Sequence, residues 1–150
     1  MRSFLLLALF LIFSFPSQSL AQIHSVKSDK LHLRSGPSEN HSIKCVYSKG
    51  FPVKVLQQQG DWVQVTDFEN ETGWVSKQLL SQTPHVIVSA NKGVNKKINI
   101  RSGPGVKHPV IGQAYYGVVF SSLGKKGDWR KVRHRSGVSG WIQQNLLWGE

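Results

Sequence analysis

One stretch of this chain occurs twice, and a constant offset of 67 residues separates the two copies. Arg34-Ser35-Gly36-Pro37 returns at 101–104, and Gly60-Asp61-Trp62 returns at 127–129. A repeat of about 60 residues is one small domain used twice. The repeat therefore predicts two similar domains that bind through paired surfaces, rather than one composite active site.

The first 21 residues have the pattern of a secretory signal peptide. Arg2 precedes an apolar run, 4–13, that is too short to span a bilayer comfortably, and small residues stand at Ser19 and Ala21. We predict cleavage after Ala21 and a protein located in the periplasm or secreted. No later segment is long and apolar enough for a transmembrane helix, so the mature chain is predicted to lack one.

The mature sequence predicts an all-β protein. Its apolar residues come in short bursts rich in β-forming residues, such as 53–56 and 62–65, and no window sustains a helical period. Turn signals recur every eight to twelve residues or so, which suits two tandem five-stranded barrels closed by tight hairpins. We predict a first domain over 22–81, a linker over 82–87 and a second, basic domain over 88–148.

Charge is divided unevenly between the two halves of the mature chain. Residues 22–83 hold seven Lys/Arg against six Asp/Glu, a net charge of +1, whereas residues 84–150 hold eleven against two, a net charge of +9. Such asymmetry is typical of a domain with an anionic partner, although a basic surface can also serve solubility alone. The longer first hairpin of the second repeat, Asn91–Lys97, adds three of these positive charges.

The sequence lacks the residue patterns of an enzyme, a metal site or a cofactor site. Cys45 is the only cysteine and has no counterpart in the second repeat, so it is either apolar filler or a free thiol. His41 and His108 share one repeat position, but one histidine per domain without acidic or cysteine neighbours is not a ligand set. We therefore expect a non-catalytic protein without a metal or cofactor.

An ordered set of motifs resembles the bacterial SH3-like domain family. Leu-x-Leu-Arg-Ser-Gly-Pro, Lys-Gly-(x)2-Val-x-Val-Leu, Gly-Asp-Trp-Val-x-Val and Gly-Trp-Val-(x)3-Leu-Leu follow one another within residues 26–80, and a second set lies within 88–147. The resemblance implies an SH3-type barrel in an exported bacterial protein. It also implies a binding role without catalysis, because family members commonly attach cell-wall hydrolases to peptidoglycan or its peptide cross-bridges.

The alternation of side chains along the strands indicates which residues could bind a ligand. If Val65 and Val132 face the core, then Trp62 and Trp129 face away from it. The resemblance makes these tryptophans groove-lining candidates for stacking on a ligand, and the alternative is that they pack under a loop. Several basic residues on two adjacent strands and their turn are expected to share a surface with Trp129, which is the composition of an anion-binding platform. The predicted ligand-binding residues are Trp62, Lys125, Lys126, Trp129, Arg130, Lys131 and Arg133. Arg130 has the parity of a core residue, which is unexplained unless strand twist brings it to the rim.

Together these features predict an exported, non-enzymatic binding protein. Its second domain is expected to attach to peptidoglycan or another anionic envelope polymer. Nucleic acid would suit the same surface chemically, but export argues against a specific nucleic-acid partner. The alternative is an adaptor for an envelope enzyme or, after secretion, for a host protein. A nearly neutral first repeat with an exposed Trp62 would suit a peptide better than a polyanion.

Overall fold

The structure, a computed structural model, describes residues 22–150 and consists of two antiparallel sheets of seven strands each. The predicted signal peptide lies outside the described residues. Within 22–150 there is no α-helix, so the all-β class and the tandem arrangement are confirmed. The first sheet contains β1 (Ile23–Val26), β2 (Leu31–Arg34), β3 (Ile43–Tyr47), β4 (Pro52–Gln59), β5 (Trp62–Thr66), β6 (Thr72–Ser76) and β7 (Leu80–Ser81).

The second sheet repeats the first strand for strand. Both have the same spatial order, β3-β2-β6-β5-β4-β1-β7 in the first and β10-β9-β13-β12-β11-β8-β14 in the second. A single 3₁₀ turn precedes the last strand of each sheet, at Lys77–Leu79 and at Gln144–Leu146. The second set of strands is β8 (His85–Val88), β9 (Ile98–Arg101), β10 (Val110–Ala114), β11 (Val119–Lys126), β12 (Trp129–Arg133), β13 (Ser139–Gln143) and β14 (Leu147–Gly149).

Each sheet has seven strands where the sequence predicts five, because short strands at the two ends of each repeat pair with each other. Ser25 lies opposite Ser81, and Val26 lies opposite Leu80. A strand of two residues has no periodicity that a sequence pattern could reveal. Strand β8 begins at His85, so residues 82–84 alone join the two sheets and the rest of the predicted linker belongs to β8.

The long fourth strand of each repeat serves two neighbours. The first residues of β4 pair with β1, and the remainder pairs with β5, with a register shift between Val55 and Gln57. Strand β11 has the same irregularity between Ser122 and Gly124. A bulge bends a strand and increases its twist, and this lets one strand turn the sheet around a small core.

The two cores use alternate residues of the same strands. Val65 and Val132 are fully buried, as the strand parity predicts, and Trp62 and Trp129 lie on the opposite faces of β5 and β12. Tyr47 and Val53 of the first core correspond to Ala114 and Phe120 of the second, so the bulky aromatic ring changes strand while the total volume stays similar. Both cores are thus filled from one shared pattern.

The two repeats touch through an aromatic and ionic contact. The rings of Phe68 and Tyr116 lie 5.2 Å apart between centroids, and Tyr116 donates a hydrogen bond from its hydroxyl to the carboxylate of Glu69. The ammonium of Lys92 lies 3.5 Å from the same carboxylate. The pair of domains is therefore held by side chains as well as by its three-residue connection.

Candidate ligand-binding site

The hairpin of β11 and β12 sets the surroundings of Trp129. In the ladder Trp129 lies opposite Lys126 on one side and Gln143 on the other, and directly paired residues point to the same face. Lys131, two residues along β12, projects on that face as well, opposite Trp141. Trp129 is half-buried, while Lys126 and Lys131 are exposed, so this face combines an accessible indole with two free ammonium groups.

Trp129 also forms one wall of a groove of about 220 Å³, which we call the Trp129 groove. The opposite walls come from the long first hairpin and from the loop after β9, and they include Lys96, Lys97, Arg101 and Val106. Three cationic side chains therefore border the groove, and the described acidic residues do not line it. Such a groove attracts anions electrostatically, and the indole offers a flat apolar surface for stacking.

Three contacts fix the walls of the groove. Arg101 donates a hydrogen bond from Nη1 to the carbonyl of His108 at 2.9 Å and ties the loop after β9 to the strand. A Cβ at Gly103 would lie 2.4 Å from the ring of His108, so only glycine fits beneath that imidazole. The ammonium of Lys97 lies 4.9 Å from the centroid of Tyr115, within cation–π range.

The same loop is built identically in the first repeat. Arg34 donates from Nη1 to the carbonyl of His41 at 2.9 Å, and Gly36 lies beneath the His41 ring. This shared architecture explains the repeated Arg-Ser-Gly-Pro motif and the repeated histidine as structural features. No group of three or more His, Cys, Asp or Glu side chains that could hold a metal ion occurs within residues 22–150.

Trp62 occupies the place of Trp129 in the first repeat, but its neighbours in the ladder are uncharged. Its ladder partners are Gln59 and Ser76, and Gln64 takes the position of Lys131. Trp62 is half-buried, as is Trp129. The two repeats therefore present one indole on the same scaffold, once among amides and a hydroxyl and once among ammonium groups.

Arg130 and Lys125 lie on the other side of the hairpin from Trp129. They are paired across β11 and β12, and Arg130 is only 6% exposed. Both line a separate cavity of about 600 Å³, which we call the Arg130 pocket. Arg130 thus has the core parity that the sequence indicates, and it does not contact a ligand that lies against Trp129.

Arg133 lines a third cleft, which lies between the two repeats and has a volume of about 740 Å³. Lys49 of the first repeat and His85, His134 and Arg135 of the second share this cleft. The predicted basic cluster is therefore divided: Lys126 and Lys131 accompany Trp129, Lys125 accompanies Arg130, and Arg133 faces the first repeat. Strand parity could have separated the first two groups, whereas the position of Arg133 depends on how the repeats pack.

Sequence reasoning missed Lys96, Lys97 and Arg101 as residues of the groove. The charges of the long hairpin are visible in the sequence, but a loop of this length does not show on which side of the sheet it folds. Arg101 belongs to a motif that reads as architecture, and its hydrogen bond to the loop confirms that role while its charge still borders the groove.

Cys45 is half-buried and packs against the first core, which agrees with its interpretation as apolar filler. Burial raises the pKa of its thiol, although a hydrogen bond with Tyr47 opposes this shift. A thiol with a raised pKa holds little thiolate at neutral pH and is a poor nucleophile. Its position in the first repeat therefore favours packing over reactivity.

Comparison with known proteins identifies both repeats. The family model for the bacterial SH3 domain matches residues 27–82 and 94–149. A Bacillus subtilis strain 168 protein with the name N-acetylmuramoyl-L-alanine amidase YrvJ is 29% identical over 141 residues. That match covers 89% of this chain but 27% of the relative, so the chain spans about a quarter of the protein that it resembles.

Solved structures that match this chain include an NlpC/P60 family protein from Bacillus cereus ATCC 10987, at 15% identity and a TM-score of 0.38. That match covers 86% of this chain and 56% of the other. NlpC2 from Trichomonas vaginalis matches at 16% identity and a TM-score of 0.37, over 89% of this chain and 50% of the other. The matched region is thus about half of each of these structures.

Proposed function

Because the chain belongs to the bacterial SH3 domain family, we propose that it is a non-catalytic binding protein that attaches to peptidoglycan or another anionic polymer of the cell envelope. The relative named as an amidase supports this setting, since peptidoglycan is the substrate that its name implies. The match covers 27% of that protein and includes the two bacterial SH3 domains of this chain. Because these domains bind rather than hydrolyse, the match supports a binding role for this chain.

The observation that carries the proposal is the Trp129 groove. It places an indole beside Lys96, Lys97 and Arg101, with Lys126 and Lys131 on the adjoining face. Peptidoglycan combines sugar rings, which stack on aromatic faces, with peptide carboxylates, which pair with cations. The groove offers partners for both kinds of group within one short stretch of surface.

The proposed location is outside the cytoplasm, in the periplasm or in the surrounding medium. The signal peptide over 1–21 that the sequence predicts supports export, and wall polymers are accessible only to an exported protein. Within residues 22–150, no helix is both long and apolar enough to cross a membrane.

A charge exchange between the repeats tests the proposal. Lys126→Gln with Lys131→Gln gives the second repeat the residues that the first has at Gln59 and Gln64, so the fold should tolerate the change. We expect the dissociation constant for protein-free peptidoglycan sacculi at low salt to rise about tenfold, since two exposed ion pairs contribute roughly 1–2 kcal/mol. Co-sedimentation of residues 22–150 measures it.

The matched control removes the same charge elsewhere. Lys27→Gln with Lys54→Gln changes two exposed lysines of the first repeat and lowers the net charge equally. We expect this control to bind sacculi nearly as well as the unchanged protein. If both double variants weakened binding equally, the binding would depend on overall charge alone. That result would contradict a role for the face around Trp129.

A second candidate function is a protein-interaction adaptor, and the edge of the second sheet favours it. Strand β10 is an outer strand, and it exposes Val110 by 45% and Ile111 by 49%. An edge strand with exposed apolar side chains can add a strand from another protein. Strands β9 and β13 lie between β10 and β12 in the sheet order, so the two binding surfaces are separate parts of one domain.

A further inference from the structure

The second repeat buries an arginine in its core layer. Arg130 on β12 lies between Lys125 of β11 and Ile142 of β13 in the ladder, and it is 6% exposed. Its Nε and Nη1 atoms are inaccessible to solvent, and Nε has no hydrogen-bond partner among the described residues. Nη1 forms an ion pair with the carboxylate of Glu150. The Nε–H donor of a buried guanidinium thus remains unsatisfied.

Comparison of the repeats shows that the fold does not require this arginine. The first repeat has Val63 at the same position, where it is buried in the core. Two neighbouring positions differ as well, since Ser122 stands at the position of Val55 and Glu150 at that of Thr83. The hydroxyl of Ser122 donates to Glu150 Oε2 at 2.6 Å. Arg130, Ser122 and Glu150 therefore form a connected polar set, whereas the first repeat has two valines and an uncharged threonine at these positions.

A buried charge pair is commonly no more stable than the apolar residues that could replace it. The exchange of Val63 for Arg130 therefore gains nothing evident for the folding of the second repeat. It does place a guanidinium at a cavity. The Arg130 pocket, of about 600 Å³, is bordered by Lys125, Gln143, Gln144 and Asn145, which can hydrogen-bond a ligand, and by one carboxylate, Asp128.

We propose that the Arg130 pocket is a second ligand site, which takes a carboxylate, and that Glu150 occupies it when no ligand is present. A guanidinium pairs with a carboxylate through two parallel hydrogen bonds, and the ion pair with Glu150 leaves this geometry unused. An incoming carboxylate displaces the Glu150 side chain and accepts hydrogen bonds from the Arg130 guanidinium. Lys125 then serves as a second cation for the bound carboxylate. Arg130 lies on the opposite face of β12 from Trp129, and Gln143 alone borders both this pocket and the Trp129 groove. The proposal therefore does not depend on the proposed wall binding.

The test follows the Nε–Hε signal of Arg130 by NMR in the chain 22–150 while carboxylates are added at constant ionic strength. N-acetylglycine represents a peptide-terminal carboxylate and glucuronate represents an acidic polysaccharide, so the two arms distinguish the sources. The neutral amide of N-acetylglycine is the control ligand. We expect a saturable shift with at least one carboxylate and none with the amide.

Two substitutions make the test specific. Glu150→Gln removes the internal competitor, whose effective concentration is of millimolar order, so the dissociation constant for the carboxylate should fall at least about threefold. Arg130→Val restores the residue of the first repeat, so it should fold with an unchanged or higher denaturation midpoint and lose the response of the Lys125 and Gln144 signals.

No carboxylate-dependent shift in Glu150→Gln up to roughly 0.1 M ligand, about a hundred times a millimolar constant, would overturn the proposal and leave Arg130 and Glu150 as a structural pair. A shift of equal size with the neutral amide would overturn it as well. Neither outcome bears on sacculus binding, which is measured separately with Lys126→Gln and Lys131→Gln. Should Arg130→Val not fold, Glu150→Gln alone decides the question.

Discussion

Exchanges of single residues between the repeats change the chemistry of a shared scaffold. In the first repeat the Tyr47 hydroxyl donates to Asp67 Oδ2 at 2.9 Å, and burial, with the adjacent carboxylate, raises the pKa of Tyr47 well above its usual range. In the second repeat Ala114 and His134 stand in their places, and the His134 ring lies 5.5 Å from that of Phe120. The sequence shows each exchange, but which residues compensate one another emerges only from the packing.

A second residue-scale feature, Glu69 at the contact between the repeats, carries a pH dependence. The hydrogen bond from Tyr116 lowers the pKa of Glu69, and the nearby Lys92 lowers it further. Because the folded pKa lies below the unfolded one, near 4.3, the contact contributes its full stability above that value and loses it as the pH falls through the folded pKa. We expect carboxyl NMR titration to give Glu69 a pKa below the value of an ordinary glutamate.

Tyr116→Phe is the variant that checks this cause, since it removes the donor and keeps the ring. We expect the pKa of Glu69 to rise toward the ordinary value in this variant. Tyr115→Phe is the matched control, because the ring of the exposed Tyr115 contacts the ammonium of Lys97 and its hydroxyl does not bond to Glu69. A Glu69 pKa that is the same in Tyr116→Phe as in the unchanged protein would contradict the assigned cause.

At the scale of elements, the turn signals and apolar bursts predict most strands and the all-β class. The turns at Gly60 and Gly127 have positive φ values of 57° and 54°, which glycine adopts without strain, so these hairpins could be predicted from sequence. The short strands β7 and β14 could not, because two or three residues define no period. The inward direction of Arg130 follows from the parity of β12, while its pairing with Glu150 does not.

The corresponding edge strands β3 and β10 differ in one charge. Both expose apolar side chains, Ile43 and Val46 on β3 and Val110 and Ile111 on β10, but β3 has Lys44, ion-paired with Glu71, at the position of Ile111. A charge on an edge strand discourages pairing with another chain. We expect Ile111→Lys to reduce the recovery of crosslinked protein partners from the envelope, while sacculus binding is not weakened. Crosslinking followed by mass spectrometry measures the recovery.

Leu56→Lys is the control for this edge-strand prediction. Leu56 is exposed to a similar degree and also lies at a register shift, but it belongs to β4, an interior strand in the sheet order. It should leave partner recovery unchanged. Equal recovery with Ile111→Lys and with the unchanged protein would count against β10 as a docking edge.

At the scale of the whole molecule, one domain is used twice with different surfaces. The uneven charge, read from the sequence, does correspond to a basic second repeat, and Lys126 and Lys131 do lie beside Trp129. The placement of Lys96 and Lys97 at the groove and of Arg133 between the repeats depends on loop and domain packing, which local patterns do not encode. The first repeat therefore serves as an internal reference for each proposed feature of the second.

The proposed attachment to the wall depends on the indole of Trp129 more than on any other group. We would measure co-sedimentation of residues 22–150 with protein-free sacculi at low and at about 150 mM salt, where surface charges are screened beyond about 8 Å. The proposal predicts binding that persists at the higher salt and weakens about tenfold or more in Trp129→Ala, a loss of about 1.4 kcal/mol or more, but little in Trp62→Ala. Binding that disappears at 150 mM salt, or that is equally strong without Trp129, would contradict it.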